Sequence, residues 1–275
     1  MKLQLNLFFK ELVLFASAIF LALFSAYRVL SFNITIVQPQ KFEIKDFFVL
    51  FAFVAILILA RNKKRFMSLT YKVLLVLVIL AGSQIIFGTF FITPFDLIAS
   101  LILLSVFLLY KNVLTHNIAV IMGIAGVSMV IGLSITPKTA VILLIILSFY
   151  DIISVYKTKH MVSMAKSMVE SGAIFGFIIP PKLSGFLAGR KEAESQIGSQ
   201  FMILGSGDIG LPLIMICSLI KTSLSAAVIT SVFSLVGLLT THLIFINQKD
   251  RKPMAALPPI ATMTIIGYLI SMLIK

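Results

Sequence analysis

"ILLIILSFYDIISVY" (142–156) reads as the interior of a membrane until its tenth residue, Asp151. A carboxylate inside hydrocarbon costs about 2.5–3.5 kcal/mol even on insertion scales, and such residues persist where they move ions or do chemistry. The rest of the chain says that hydrocarbon is the right surrounding. Of 275 residues, 60% are hydrophobic and 12% charged, with a mean hydropathy of +1.11. Soluble domains carry about 25% charged residues. A chain with half that charge cannot cover its apolar surface in water. The expected fold is an all-α polytopic membrane protein, one transmembrane domain over residues 1–275.

Scanning for runs of about 20 apolar residues predicts nine spans: 12–32, 46–60, 70–92, 95–111, 117–135, 138–156, 199–220, 222–246 and 255–274. Thr93-Pro94 and Thr136-Pro137 separate neighbouring spans, with proline suited to the first turn of the helix that follows. Gly123, Gly126, Gly132 and Ser128 supply the small surfaces that close helix packing in lipid favours.

The net charge of +13 reflects lysine and arginine retained on the cytoplasmic side, not a nucleic-acid partner. With the N-terminus inside, 17 of the 23 basic residues fall in cytoplasmic segments, including Arg61, Lys63, Lys64 and Arg65, and Lys249, Arg251 and Lys252. The other 6 (Arg28, Lys41, Lys45, Lys138, Lys221, Lys275) fall outside. The expected topology is N-terminus cytoplasmic and C-terminus outside. Ala16-Ser17-Ala18 lies within an apolar run, so a cleaved signal peptide is not expected. The single cysteine, Cys217, excludes a disulfide framework or a cysteine metal site. His116, His160 and His242 are scattered and read as interfacial or bundle-satisfied imidazoles. No metal or cofactor is expected.

The one long connection, 157–198, is placed on the cytoplasmic side. "HMVSMAKSMVE" (160–170) reads as an amphipathic helix, and "GAIFGFIIPP" (172–181) stays apolar until its proline pair. Two readings stand: an interfacial helix with a solvated loop, or a mobile gate beside whatever the sixth and seventh spans build.

Most of the 10 acidic residues sit where charge is cheap. Glu11, Glu43, Asp46 and Asp250 fall at span ends or in short loops, and Glu170, Glu192 and Glu194 in the long loop. Asp96 falls at a helix start, where a carboxylate complements the dipole. Asp151 and Asp208 remain, the latter in "FMILGSGDIGLPL" (201–213). At 1.5 Å per residue they lie roughly 9 and 13 Å from the cytoplasmic ends of adjacent antiparallel spans, so they can face one another. Two close carboxylates in low dielectric share a proton, giving one base to activate water and one acid to protonate a carbonyl or leaving nitrogen. Gly205, Gly207 and Gly210, with Pro212 beyond, loosen the chain where an unwound peptide would be presented. On the residues alone, a proton relay in a transporter uses the same two acids equally well.

Tyr150-Asp151 in a sixth span and Gly205-Ser206-Gly207-Asp208 in a seventh resemble the Tyr-Asp and Gly-x-Gly-Asp motifs of the presenilin and signal-peptide-peptidase family of intramembrane aspartyl proteases. The start of the ninth span, "KPMAALPPI" (252–260), resembles that family's Pro-Ala-Leu at Ala255-Ala256-Leu257, followed by Pro258. Ala255 stands where the family has proline. The resemblance covers the whole chain in span count and order. It implies a catalytic pair of Asp151 and Asp208, with Tyr150, Gly205, Ser206 and Gly207 supporting the active site. Ala255, Ala256, Leu257 and Pro258 would form a substrate-shaping rim. It implies an aspartic endopeptidase that cuts transmembrane or signal-type helices in the lipid bilayer, without cofactor. The charge bias matches the presenilin sense of insertion, which implies substrates whose N-termini lie outside. The chain's size suits a stand-alone prokaryotic, archaeal-type homologue in the cell membrane. A proton-coupled transporter is the rival, although no inverted repeat relates the two acid motifs. A prepilin-type peptidase would need an intramembrane acid much earlier in the chain, and a scaffold would leave two buried acids without purpose.

Overall fold

The computed structural model describes residues 4–34, 64–197, 201–248 and 253–274. The span expected at 46–60 lies outside the described residues. The chain forms α1 (Leu5–Ser31), α2 (Lys64–Gly88), α3 (Phe95–Leu109), α4 (Val113–Ser134) and α5 (Pro137–Ile152). A π-helical turn (Ile153–Lys157) continues α5, and α6 (His160–Ser171), β1 (Gly176–Ile179) and α7 (Arg190–Ser195) follow. The last elements are β2 (Met202–Gly205), α8 (Ser206–Leu219), α9 (Leu224–Ile246) and α10 (Leu257–Leu273).

Five of these helices are long and apolar enough to cross a membrane: α1, α2, α4, α9 and α5 with its π turn. Shorter apolar helices are α3, α8 and α10, of 15, 14 and 17 residues. The molecule is a multi-pass integral membrane protein.

Local chemistry sets the helix starts. The side chains of Asn112, Thr136 and Ser223 accept the backbone N–H of Thr115, Thr139 and Ala226, capping α4, α5 and α9. Pro137 occupies the first turn of α5, where its missing N–H costs nothing. Gly172 ends α6 in the left-handed conformation, φ 71°, which a residue without Cβ adopts freely.

α4 is the hub, packed against α1, α2, α3, α8 and β1. Gly82 of α2 meets Gly123 and Gly126 of α4 backbone to backbone, closer than any Cβ would allow. Gly132 lies against α8, where a Cβ would stand 2.6 Å from the Ile214 carbonyl. Gly237 brings α9 onto α10, its place for a Cβ only 2.7 Å from the Cα of Ile260. Glycine contacts of this kind hold helices together where lipid removes the hydrophobic drive.

Two expectations are corrected. The fold is mainly helical, as expected, but residues 202–205, expected inside a spanning helix over 199–220, form β2. It pairs antiparallel with β1, Gly176 opposite Gly205 and Ile179 opposite Met202. Gly205 is a poor helix former, and β1 offers this backbone its hydrogen bonds instead. The stretch 172–181 is likewise no solvated loop, because Phe177, Ile178 and Ile179 are fully buried. The far edge of β1 is closed by α4. Asn117 donates Nδ2–H to the Ile178 carbonyl and accepts the Ile178 N–H, both at 2.8 Å, and His116 Nε2 lies 3.1 Å from the Gly176 carbonyl. Lys10 of α1 fixes the end of this strand, donating to the carbonyls of Pro180 and Pro181 at 2.9 and 2.6 Å.

Candidate active site

Asp151 sits in the last turn of α5, directly before the π turn, and is 7% exposed. Single π turns recur at functional sites, because the widened turn re-aims side chains. Its Oδ2 accepts the backbone N–H of Leu257 at 3.4 Å. Leu257 is the first residue of α10, and Pro258 and Pro259 follow it. Those prolines have no N–H to offer, so the amide of Leu257 is the donor that the open end of α10 presents. This end of a helix attracts negative charge.

Asp208 is the third residue of α8, and its carboxylate accepts the N–H of Gly205, the residue that caps the helix. The pattern is the backward half of a capping box. It also explains the glycine: a Cβ at Gly205 would stand 3.0 Å from Asp208 Oδ2. Asp208 is half-buried, and the Asp151 carboxylate is near enough for its charge to act on it. α5, α8 and α10 pack on one another. Each aspartate therefore rests on a helix N-terminus.

Asp208 opens onto a cavity of about 590 Å³, walled by all four residues of β2, by α6, and by Ala256. In the β1–β2 ladder Gly176 and Ile178 turn their backbone groups toward α4. Antiparallel alternation then turns those of Ile203 and Gly205 away from β1. Gly205 spends its N–H on Asp208, and Ile203 faces the cavity side.

The other motif residues are more dispersed. Ser206 donates its N–H to the Phe175 carbonyl at 3.0 Å and so ties α8 to the approach of β1. Gly207 is exposed, with open space where a Cβ would lie. Tyr150 is 52% exposed on the outer face of α5 and does not line the cavity. Ala255 is buried and Pro258 half-buried beside the Leu257 amide.

One acid departs from its expected setting. Glu11, read as a span-end charge, lies inside α1 because the helix begins at Leu5. It is 2% exposed, and its Oε2 is 2.8 Å from His242 Nδ1 on α9. Both line the cavity that Asp208 faces. A contact between residues 231 apart leaves no local mark in the sequence. The nearest signal was an acid one residue from a span's estimated start.

A family model described as signal-peptide peptidase, presenilin aspartyl protease matches residues 10–275. The chain belongs to this family. It is therefore an intramembrane-cleaving aspartyl peptidase, and the transporter and prepilin-peptidase readings give way. Two solved structures of a presenilin-family intramembrane aspartate protease, in the C222 and P2 space groups, share the protease's fold. The first superimposes with a TM-score of 0.60 at 22% identity, covering 95% of each chain. The second gives 0.62 at 22% identity, covering 99% of this chain and 98% of the other. No curated protein sequence matches the chain.

Proposed function

We propose that Asp151 and Asp208 are the catalytic pair, hydrolysing a peptide bond in an unwound transmembrane or signal-type helix. The observation that carries this is the proximity of the two carboxylates, each held by a helix-terminal or capping amide, with Asp208 lining a cavity beside the outer edge of β2. One ionised carboxylate takes a proton from water, whose oxygen bonds to the scissile carbonyl carbon. The other, protonated, gives its proton to the carbonyl oxygen. Collapse of the tetrahedral diol returns a proton to the leaving nitrogen as the C–N bond breaks, and the pair regains its single shared proton. No charge accumulates over the cycle.

A helical substrate hides its carbonyls in its own hydrogen bonds. The cavity-facing edge of β2 offers an alternative, since an extended segment can add there as a third strand. It would run past Gly205 and bring a carbonyl within reach of Asp208. The basic-residue bias supports an N-terminus in the cytoplasm and a C-terminus outside, with substrates inserted N-terminus outside. Ala255 to Pro258 would act through the Leu257 amide, and Ser206 by tying α8 to β1. Tyr150 and Gly207 would meet the substrate from the lipid side.

The test is cleavage of a single-span substrate by purified protein in detergent, beside Asp151→Asn and Asp208→Asn. Either substitution alone is expected to abolish cutting while thermal unfolding stays cooperative. Cutting that survives either change would remove that residue from the pair.

A further inference from the structure

The Glu11–His242 pair has no part in the hydrolysis proposed above, and its hydrogen bonding is incomplete. Glu11 Oε1 and His242 Nε2 are both buried, and among the described residues neither has a hydrogen-bond partner. Wherever the proton between Oε2 and Nδ1 sits, Oε1 remains an acceptor without a donor. Leaving such an atom unpaired in a buried site is costly, and more so if it is charged. The neighbouring Lys10 does not fill this role: its ammonium donates to the carbonyls of Pro180 and Pro181, and Oε1 stays unpaired. Both unpaired side chains line the cavity that Asp208 faces. The same wall carries Glu170 and Glu194 against one lysine, Lys166. Among the described residues that line the cavity, acids outnumber bases, although Arg190, Lys191 and Lys72, outside that lining, act on Glu194.

We infer that Glu11 and His242 form a substrate subsite that receives a basic side chain, the ammonium or guanidinium donating to Glu11 Oε1. The inference rests on the protease reading and names its substrate class: membrane-spanning segments with a lysine or arginine placed where the bound strand passes this pair. Transmembrane helices carry such residues at their cytoplasmic flank, which is where the charge bias puts α6, one wall of the cavity. A long basic side chain reaches a buried partner while its stem stays in apolar surroundings. His242 holds the carboxylate through Oε2, and Oε1, buried behind the cavity lining, is the acceptor an incoming donor meets once the wall side chains give way.

The experiment scans one lysine through the residues flanking the scissile bond of a single-span substrate, with glutamine and serine at the same positions as neutral donors. For the parent, one position is expected at which lysine raises kcat/KM about ten-fold or more over glutamine, chiefly through KM. Glu11→Gln is expected to bring that ratio close to one, and Glu11→Lys to invert it in favour of a substrate aspartate. Because the readout is a ratio of two substrates on one preparation, partial loss of fold cancels. Should the parent cut lysine, glutamine and serine substrates equally, the subsite is overturned without any variant. A lysine preference that survives Glu11→Gln overturns it equally. If glutamine substrates are cut and cutting depends on Asp151 and Asp208, the protease reading stands whichever way the ratio falls.

Discussion

The backbone N–H of Leu257 meets Oδ2 of Asp151 at 3.4 Å, joining two motifs 106 residues apart in the chain. Leu257 is the first residue of α10, and the proline pair behind it strips that helix end of its next two donors. What the third motif brings to Asp151 is thus one backbone amide. Leu257→Pro removes that amide at a position where proline fits a helix. It is expected to lower kcat about ten-fold, with KM little changed. Leu257→Met keeps the amide and most of the buried volume, and is expected to hold kcat within about two-fold by the same scale. Equal kinetics for the two variants would mean that the amide does not act on Asp151.

Gly205 and Gly207 look alike in the sequence and differ in their surroundings. A Cβ at Gly205 would press on Asp208 Oδ2 at 3.0 Å, whereas at Gly207 it would enter open space. Only a flexible side chain has to give way at 205, so Gly205→Ala is expected to fold. Its kcat should fall at least ten-fold, since misplacing a reacting group by about 1 Å can cost as much as 100-fold. Gly207→Ala places a better helix former in the first turn of α8, and its melting temperature is expected to equal or exceed the parent's. Thermal melts of both proteins and steady-state kinetics of Gly205→Ala decide the matter.

Asn117 makes the strand next to the site possible. Its amide answers both backbone groups of Ile178 at 2.8 Å, a role that a membrane helix otherwise has no reason to fill. Asn117→Leu keeps the size and leaves a buried N–H and C=O unpaired. The expected loss is about 2–4 kcal/mol, read as a lower midpoint in thermal or denaturant unfolding. An unchanged midpoint would show that β1 finds other partners.

How much was legible follows from these cases. The apolar runs overlap eight helices among the described residues, and Thr136-Pro137 marked the start of α5, whereas Asn112 and Ser223, which cap α4 and α9, went unread. The two aspartates stood out because nothing local excused a carboxylate there. The β1–β2 pair did not show, because "GFII" and "MILG" are apolar runs of four, too short for a period to separate strand from buried helix. Asn117 and His116, two polar residues on another helix, are what close the outer edge of β1. Glu11 was misread for a related reason. A span boundary drawn from hydropathy stops at the first charge, and α1 continues past Lys10 and Glu11 because Pro180, Pro181 and His242 answer those charges from elsewhere in the bundle.

Glu194 gives a pH dependence with a definite sign. It lies in α7, outside the spanning helices. Burial pushes its carboxyl above the ordinary value near 4.5, against the opposing pull of Arg190, Lys191 and Lys72. The folded protein therefore holds this proton to higher pH than the unfolded chain does. The stability Glu194 contributes is complete below the ordinary carboxylate value and is lost as pH rises through the higher folded value. Glu194→Gln imitates the protonated form at every pH. Arg190, which packs over the Phe107 ring at 4.5 Å, keeps that contact in the variant. Parent and variant are expected to melt together in acid and to separate as pH approaches neutrality, with the variant the more stable. A melting-temperature difference that stays constant from about pH 4 to 7.5 would contradict the assignment, because a shifted titration has to appear as a slope between the two pKa values.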